Sequence, residues 1–247
     1  MALHLTIDQG NSAAKLALWD GEELVDIKIV HSLTSDVLRG FISSAEGTVD
    51  SAIYCSVASK GTEVVAWLEN MVRKVVRLQN GLPLPIAIDY GTPGSLGADR
   101  IAAAVGARVL FPDSWLLVVD AGTAVTYDAV TPEGKFVGGN IAPGMNMRLE
   151  ALHRFTARLP RVEMPRELPE EGFLGHDTAS AMILGAVYGI VGAVSYYHSH
   201  LPEGTKVVMT GGWASELSRL CDVDSVIVEP NLVSKGLNRI LIYNENI

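Results

Sequence analysis

An internal repeat constrains this chain more than any other feature. LHLTIDQGNSAAKLALWDGEELVDIKIV lies near the start, and LLVVDAGTAVTYDAVTPEGKFVGGNI returns beyond the middle. In each copy an apolar strand runs into Asp-x-Gly, at Asp8 and at Asp120, followed by small hydroxyl or amide residues. A second strand follows, and a glycine-containing turn, at Gly21 and again at Gly134, closes a hairpin. One Asp-x-Gly turn arises easily by chance. Two in the same frame predict a duplicated α/β lobe. The expected domains are residues 1–112 and 113–247, each a mixed sheet with flanking helices, packed closely with a cleft between them.

The segments after each hairpin suit helices and further strands. Ser35–Phe41 reads as a short helix, Ala52–Val57 as a buried strand and Gly61–Val72 as a helix. Asn80-Gly81 with Pro83 and Pro85 marks a break. Ala98–Phe111 is Ala-rich and helical, ended by Pro112-Asp113. Beyond the second hairpin, Met147–Arg158 reads as a helix, and Pro160 to Pro169 as a loop that is mobile or folded over a site. Lys206–Met209 is a parallel-type strand ending in Thr210-Gly211-Gly212.

Composition narrows the function classes. Hydrophobic residues make up 48% and charged residues 19%, enough apolar material for real cores and no case for disorder. Asp plus Glu total 28 against 19 Lys plus Arg, a net charge of −9 that repels nucleic-acid phosphates and anionic membranes. Cys55 and Cys221 lack metal-type spacing and read as buried thiols in a reducing cytoplasm, with one disulfide as the alternative. MALHLTIDQGNS has no basic flank and is interrupted by His4 and Asp8, so it reads as a strand and not a signal peptide. Ala179 to Tyr197 carries no charge and approaches bilayer-spanning length. Gly185, Gly189 and Gly192 recur there at helical spacing, Ser180 and Ser195 interrupt it, and basic flanks are missing, which favours a soluble helix buried between lobes or subunits.

The chemistry falls on the turns. Phosphate binding needs backbone N–H groups or positive charge where the chain bends without a Cβ. Asp8-Gln9-Gly10-Asn11-Ser12-Ala13-Ala14-Lys15 offers Gly10 for the bend, Asn11 and Ser12 as donors, and Lys15 against phosphate charge. Asp8 suits Mg²⁺ held through water. A plain hairpin with a capping Asp and a solvated Lys reads equally well from this motif alone. Asp120-Ala121-Gly122-Thr123 repeats the device, and two such turns facing each other would clamp a polyphosphate. Thr210-Gly211-Gly212 would let a base or sugar approach the backbone. No P-loop or dinucleotide-binding glycine pattern is present in the sequence.

Tyr90-Gly91-Thr92-Pro93-Gly94-Ser95-Leu96-Gly97-Ala98-Asp99-Arg100 delivers an acid and a guanidinium to a helix start. Asp99 can accept a proton from a substrate hydroxyl as it attacks a terminal phosphate, and Arg100 can hold a carboxylate bidentately. An N-capping Asp beside a surface Arg is the bland alternative.

DQGNSAAK, the Tyr90–Arg100 loop with its GADR, DAGTAVT, GGNIAPG, GHDT and TGG, in this order, resemble the type III pantothenate kinases. The resemblance implies the actin-like (ribonuclease H-like) superfamily fold and a cytoplasmic homodimer using ATP with Mg²⁺ and a monovalent cation, K⁺ or NH₄⁺. The implied reaction is phosphorylation of the primary hydroxyl of pantothenate, the first step towards coenzyme A. By position, Asp8, Gln9, Gly10, Asn11, Ser12, Ala13, Ala14, Lys15 and Thr123 look like ATP contacts, and Asp120 like the monovalent-cation ligand. Tyr90, Gly97, Ala98, Asp99, Arg100 and Thr178 look like substrate contacts, with Asp99 the catalytic base. Ser12 stands where the family usually has Thr, and Thr92 where Asn commonly precedes Pro. The rival readings are a kinase of the same superfamily acting on a sugar or other hydroxyl metabolite, and a nucleotide-binding regulator without catalysis.

Overall fold

The structure, a computed structural model, describes residues 2–56, 61–165, 167–168 and 172–247. The chain forms two compact units, one of Met1–Asp113, Glu133–Val137 and Asn231–Ile247, the other of Ser114–Pro132 and Gly138–Pro230.

In the first unit, β1 (Ala2–Gln9), β2 (Ala14–Asp20) and β3 (Glu23–Val30) run as an antiparallel meander. Alternation in β1 and β2 sends Leu3, Leu5, Ile7, Leu16 and Leu18 into the core. Helix α1 (Ser35–Ser43) starts where the Thr34 hydroxyl accepts the Val37 N–H at 3.3 Å, an N-cap that fixes its first turn. β4 (Thr48–Ser56) then pairs in parallel with β1; after α2 (Gly61–Glu69), β5 (Lys74–Arg77) pairs in parallel with β4. The strand order is β3-β2-β1-β4-β5. The short β6 (Ala87–Ile88) precedes α3 (Ala98–Leu110).

The second unit repeats this plan. β7 (Leu116–Ala121) and β8 (Ala124–Val130) are antiparallel, and β9 (Lys135–Pro143) follows on the outer side of β8. After α4 (Met145–Phe155) and α5 (Thr178–Ser199), β10 (Lys206–Thr210) pairs in parallel with β7. After α6 (Ala214–Ser218), β11 (Val226–Val228) pairs in parallel with β10. The order β9-β8-β7-β10-β11 is that of the first sheet, strand for strand. The duplication expected from the two acidic hairpins is therefore carried through five strands of each sheet. Parallel β10 also follows the sequence expectation.

Helix α7 (Leu232–Glu245) departs from the domain boundary expected near residue 112, because it belongs to the first unit. It packs along α3 and on β1. The reason is close backbone contact: a Cβ on Gly236 would strike the Ala102 carbonyl, and one on Gly106 the Leu232 carbonyl. Asn238 of α7 is buried, donating to Gly21 O at 2.7 Å and pairing with His4 Nδ1 at 3.1 Å. The start of β9 is drawn to the first unit as well, with Lys135 and Phe136 pairing in parallel with β6.

Smaller differences concern helix ends. α2 stops at Glu69 and not Val72, as Asn70 turns its side chain back to Ala66 O at 2.7 Å. α4 spans Met145–Phe155 where Met147–Arg158 was expected; the Thr156 hydroxyl closes it on Leu152 O at 2.7 Å. The described residues between Pro160 and Leu168 hold no helix or strand; Pro169 and Val57, part of two expected elements, lie outside the described residues.

α5 is long and apolar enough to span a membrane by length and composition. One face, through Val187, Ile190 and Val194, is fully buried in the second unit's core with Val119 and Met209. Cys55 and Cys221 are free thiols.

Candidate functional site

The end of β1 carries the first turn. Asp8 pairs with Lys15 of β2 on one side and Cys55 of β4 on the other, and the Gly10 N–H closes the bend on Ala13 O at 3.0 Å. Gln9 is held by the Tyr54 hydroxyl, which donates to its Oε1 at 2.5 Å. Asn11 and Ser12 are exposed at the tip, Ala13 is half-buried and Ala14 is buried at the start of β2. Lys15 Nζ reaches Asn231 Oδ1 at 3.5 Å, which tethers this cation beside the acidic strand end.

The substrate loop expected from sequence comes to the same unit. Gly97 precedes the first turn of α3, and Ala98 and Asp99 open it, so the Asp99 carboxylate sits at the positive end of the helix. Its Oδ1 accepts the Arg100 N–H at 2.9 Å. Burial pushes the Asp8 carboxyl up from 3.8 to about 6; the charge of Asp99 raises it further, and that of Lys15 opposes the rise. Asp8, Lys15 and Asp99 thus form one electrostatic group. The same two carboxylates, after burial, help drive the Cys55 thiol well above its ordinary value, so Cys55 is a neutral filler and not a nucleophile.

Arg100 corrects the surface-arginine alternative, because it is only 5% exposed. Its guanidinium carbon lies 5.7 Å from the Tyr90 ring centre and 5.6 Å from that of Phe136. Tyr90 and Phe136 themselves meet edge to face at 6.0 Å. A planar cation packed against an edge-to-face pair of rings is held by shape as well as charge. Phe136 was not singled out in the sequence. Its only signal there is an aromatic just after the Gly134 turn, and nothing local couples it to the Tyr90 loop.

In the second unit Asp120 occupies the matching place at the end of β7, paired with Thr126 of β8 and Thr210 of β10. The Gly122 N–H closes its turn on Ala124 O at 3.1 Å, as Gly10 does in the first copy. Gly211, at φ +94°, brings the Thr210-Gly211-Gly212 turn onto this strand end: a Cβ there would lie 2.6 Å from Asp120 Oδ1 and from Ala121 O. This contact was missed in the sequence, where the glycines read only as an approach for a base or sugar. Thr123 is exposed at the tip, and its carbonyl accepts the Gly144 N–H at 3.1 Å, which ties the GGNIAPG segment to the turn. Thr178 is the exposed first residue of α5, after a capping box formed by Asp177 and Ser180.

The donors at both strand ends are oxygens, the chemistry that hard cations select. Among the described residues no group of three or more His, Cys, Asp or Glu forms a metal cluster, so a transition-metal centre has no support there.

The repeated sheet with an acidic turn ending the first strand of each copy defines the actin-like class of α/β proteins, to which sugar kinases belong. Solved structures share the fold. One is a Campylobacter jejuni protein described as a Baf family transcriptional activator, at TM-score 0.65 and 22% identity over 98% of this chain and 100% of that one. Another is a 2-dehydro-3-deoxygalactonokinase candidate from Sinorhizobium meliloti, at TM-score 0.63 and 13% identity over 99% and 100%. At such identities they establish architecture only.

The family follows from closer matches. The type III pantothenate kinase model matches residues 4–200. Curated relatives named type III pantothenate kinase include one from Porphyromonas gingivalis, 38% identical over 99% of this chain and 100% of its own length. One from Bacteroides fragilis is 39% identical over 98% of each chain. The chain belongs to the type III pantothenate kinase family.

Proposed function

We propose that this protein transfers the γ-phosphoryl group of ATP to the primary hydroxyl of pantothenate, giving 4′-phosphopantothenate and ADP. The observation that carries this reading is the coupling of Asp99 with Asp8, together with the buried Arg100 guanidinium packed against the edge-to-face pair Tyr90 and Phe136. An acid next to a phosphate-type turn supplies proton acceptance, and a buried, oriented Arg100 supplies a partner for the pantothenate carboxylate or its amide oxygen.

In the reaction, the Gly10 turn and Lys15 hold phosphate oxygens, and Thr123 is an ATP contact. Asp99 accepts the proton of the attacking hydroxyl as the new O–P bond forms and the bond to ADP breaks. Asp99 then returns that proton to solvent. Tyr90, Gly97, Ala98 and Thr178 contact pantothenate. Asp8 would hold Mg²⁺ through water, and Asp120 a monovalent cation, K⁺ or NH₄⁺. These ions supply neutralisation of phosphate charge when bound. The raised proton affinity of Asp8 supports its share of this role, because a buried carboxylate beside another acid needs a cation to stay ionised.

We read the protein as a cytoplasmic homodimer. Ala181, Gly185, Gly189, Gly192 and Tyr196 form an exposed stripe on α5, opposite the face buried in the second unit. At Gly185 and Gly192 a Cβ would meet nothing within 4 Å, so the stripe permits close approach of a second copy there. Light scattering that returned a monomer would remove this part of the proposal.

The reaction itself is tested by incubating the purified protein with ATP, Mg²⁺, K⁺ and pantothenate and identifying the product by mass. 4′-Phosphopantothenate is expected. ADP release without it would favour the sugar-kinase reading, and neither product would favour a nucleotide-binding regulator.

A further inference from the structure

The first unit contains a cavity that the proposed reaction does not use. It has a volume of about 350 Å³ and is walled by the β2–β3 turn at Glu22, the Pro85-Ile86 segment, the last turns of α3 at Val105 and Arg108, and Arg239 of α7. A smaller cavity of about 80 Å³ shares Glu22 and Arg239 with it, so the two lie side by side along α7. Arg108 stands nine residues after Asp99 on α3, roughly 14 Å along the helix at about 1.5 Å per residue. The cavity is therefore separate from the Asp99 group.

Its walls combine two guanidinium groups with an apolar floor. Arg108 Nη1 is buried without a hydrogen-bond partner. Its Nε lies 3.0 Å from the position a Cβ on Gly134 would take, so the Gly134 turn holds the guanidinium against its backbone. Arg239 brings a second fork to the same space, and paired guanidiniums match carboxylate or phosphate oxygens. Ile86, Val105 and Val109 offer contact for a short carbon skeleton. Glu22, exposed at the turn, opposes a polyanion and favours a ligand that also carries a hydroxyl or amino donor.

We infer that this cavity binds a small organic anion, its carboxylate or phosphate held by Arg108 and Arg239 and its donor group met by Glu22. The inference is independent of the pantothenate reading. It is tested by calorimetric titration of the full chain with L-malate and, separately, with inorganic phosphate. At least one probe is expected to bind, and Arg108→Gln and Arg239→Gln are each expected to weaken that binding about tenfold or more. Asp99→Asn is expected to leave it unchanged. Binding of malate alone marks a carboxylate ligand, and binding of phosphate alone a phosphoryl ligand. Should Arg108→Gln lower the melting temperature, Arg239→Lys carries the test, since it keeps the charge and removes the fork. Equal affinity in the arginine variants and the parent, or no binding of either probe at millimolar concentration, overturns the inference.

Discussion

Asp99 lies close enough to Asp8 for its charge to add to the effect of burial, and together they lift the Asp8 carboxyl from 3.8 to about 6. Below the unfolded value Asp8 is protonated in both states and costs nothing. Between 3.8 and about 6 the unfolded chain ionises first, so stability falls as pH rises. Above about 6 the penalty is complete, at most about 3 kcal/mol. Asp8→Asn is therefore expected to raise the melting temperature at pH 7.5 by several degrees and to lower kinase activity. The gain should shrink towards pH 4. Thermal melts at both pH values check this, and an equal gain at both would refute the electrostatic origin.

Asp99→Asn keeps the size of the side chain and removes proton acceptance. The expected result is a fall in kcat of about 10²-fold or more with ATP affinity nearly unchanged. Single-turnover kinetics and nucleotide titration separate the two. Full activity would place the base elsewhere.

Arg100→Lys retains a charge but loses the planar group packed against Tyr90 and Phe136. The KM for pantothenate is expected to rise about tenfold, with the KM for ATP little changed. Phe136→Ala should act in the same direction, since it removes one wall of that seat. Steady-state kinetics with each substrate varied in turn provides the check.

How much of this was legible in the sequence follows from how local each signal is. The two Asp-x-Gly hairpins carry their turn chemistry within a few residues, so the duplicated sheets could be read directly. The place of Asp99 in the first turn of α3 could also be read, because a Gly-rich loop and an Ala-rich helix flank it. Arg100 could not be assigned as buried, since its second aromatic wall, Phe136, comes from a strand far along the chain. The same holds for α7. Its glycine, Gly236, looks like a helix weakness until Ala102 is placed against it. The packing of Gly211 on Asp120 and Ala121 could not be read either, because those residues lie on a strand far from it in the sequence.

Gly236→Ala forces a methyl group into the Ala102 carbonyl on the α3–α7 contact. Relaxation must separate the two helices, at a cost of about 1–3 kcal/mol. Chemical denaturation should show a lower midpoint with an unchanged slope. A variant as stable as the parent would mean that the helices do not meet so closely.

Exchange of K⁺ for Na⁺ at constant ionic strength is expected to lower turnover, and Asp120→Asn to abolish the difference between the two ions. Initial rates in the two salts decide it. Indifference of the parent enzyme to the cation would remove Asp120 from that role.

The central claim concerns which hydroxyl is phosphorylated, and a ratio of kcat/KM values tests it most directly. Pantothenate, N-acetylmannosamine and 2-dehydro-3-deoxygalactonate should be compared as acceptors under one ATP-coupled assay. Pantothenate is expected to exceed both sugars by at least about 10³-fold. Comparable values, or turnover of a sugar alone, would contradict the account.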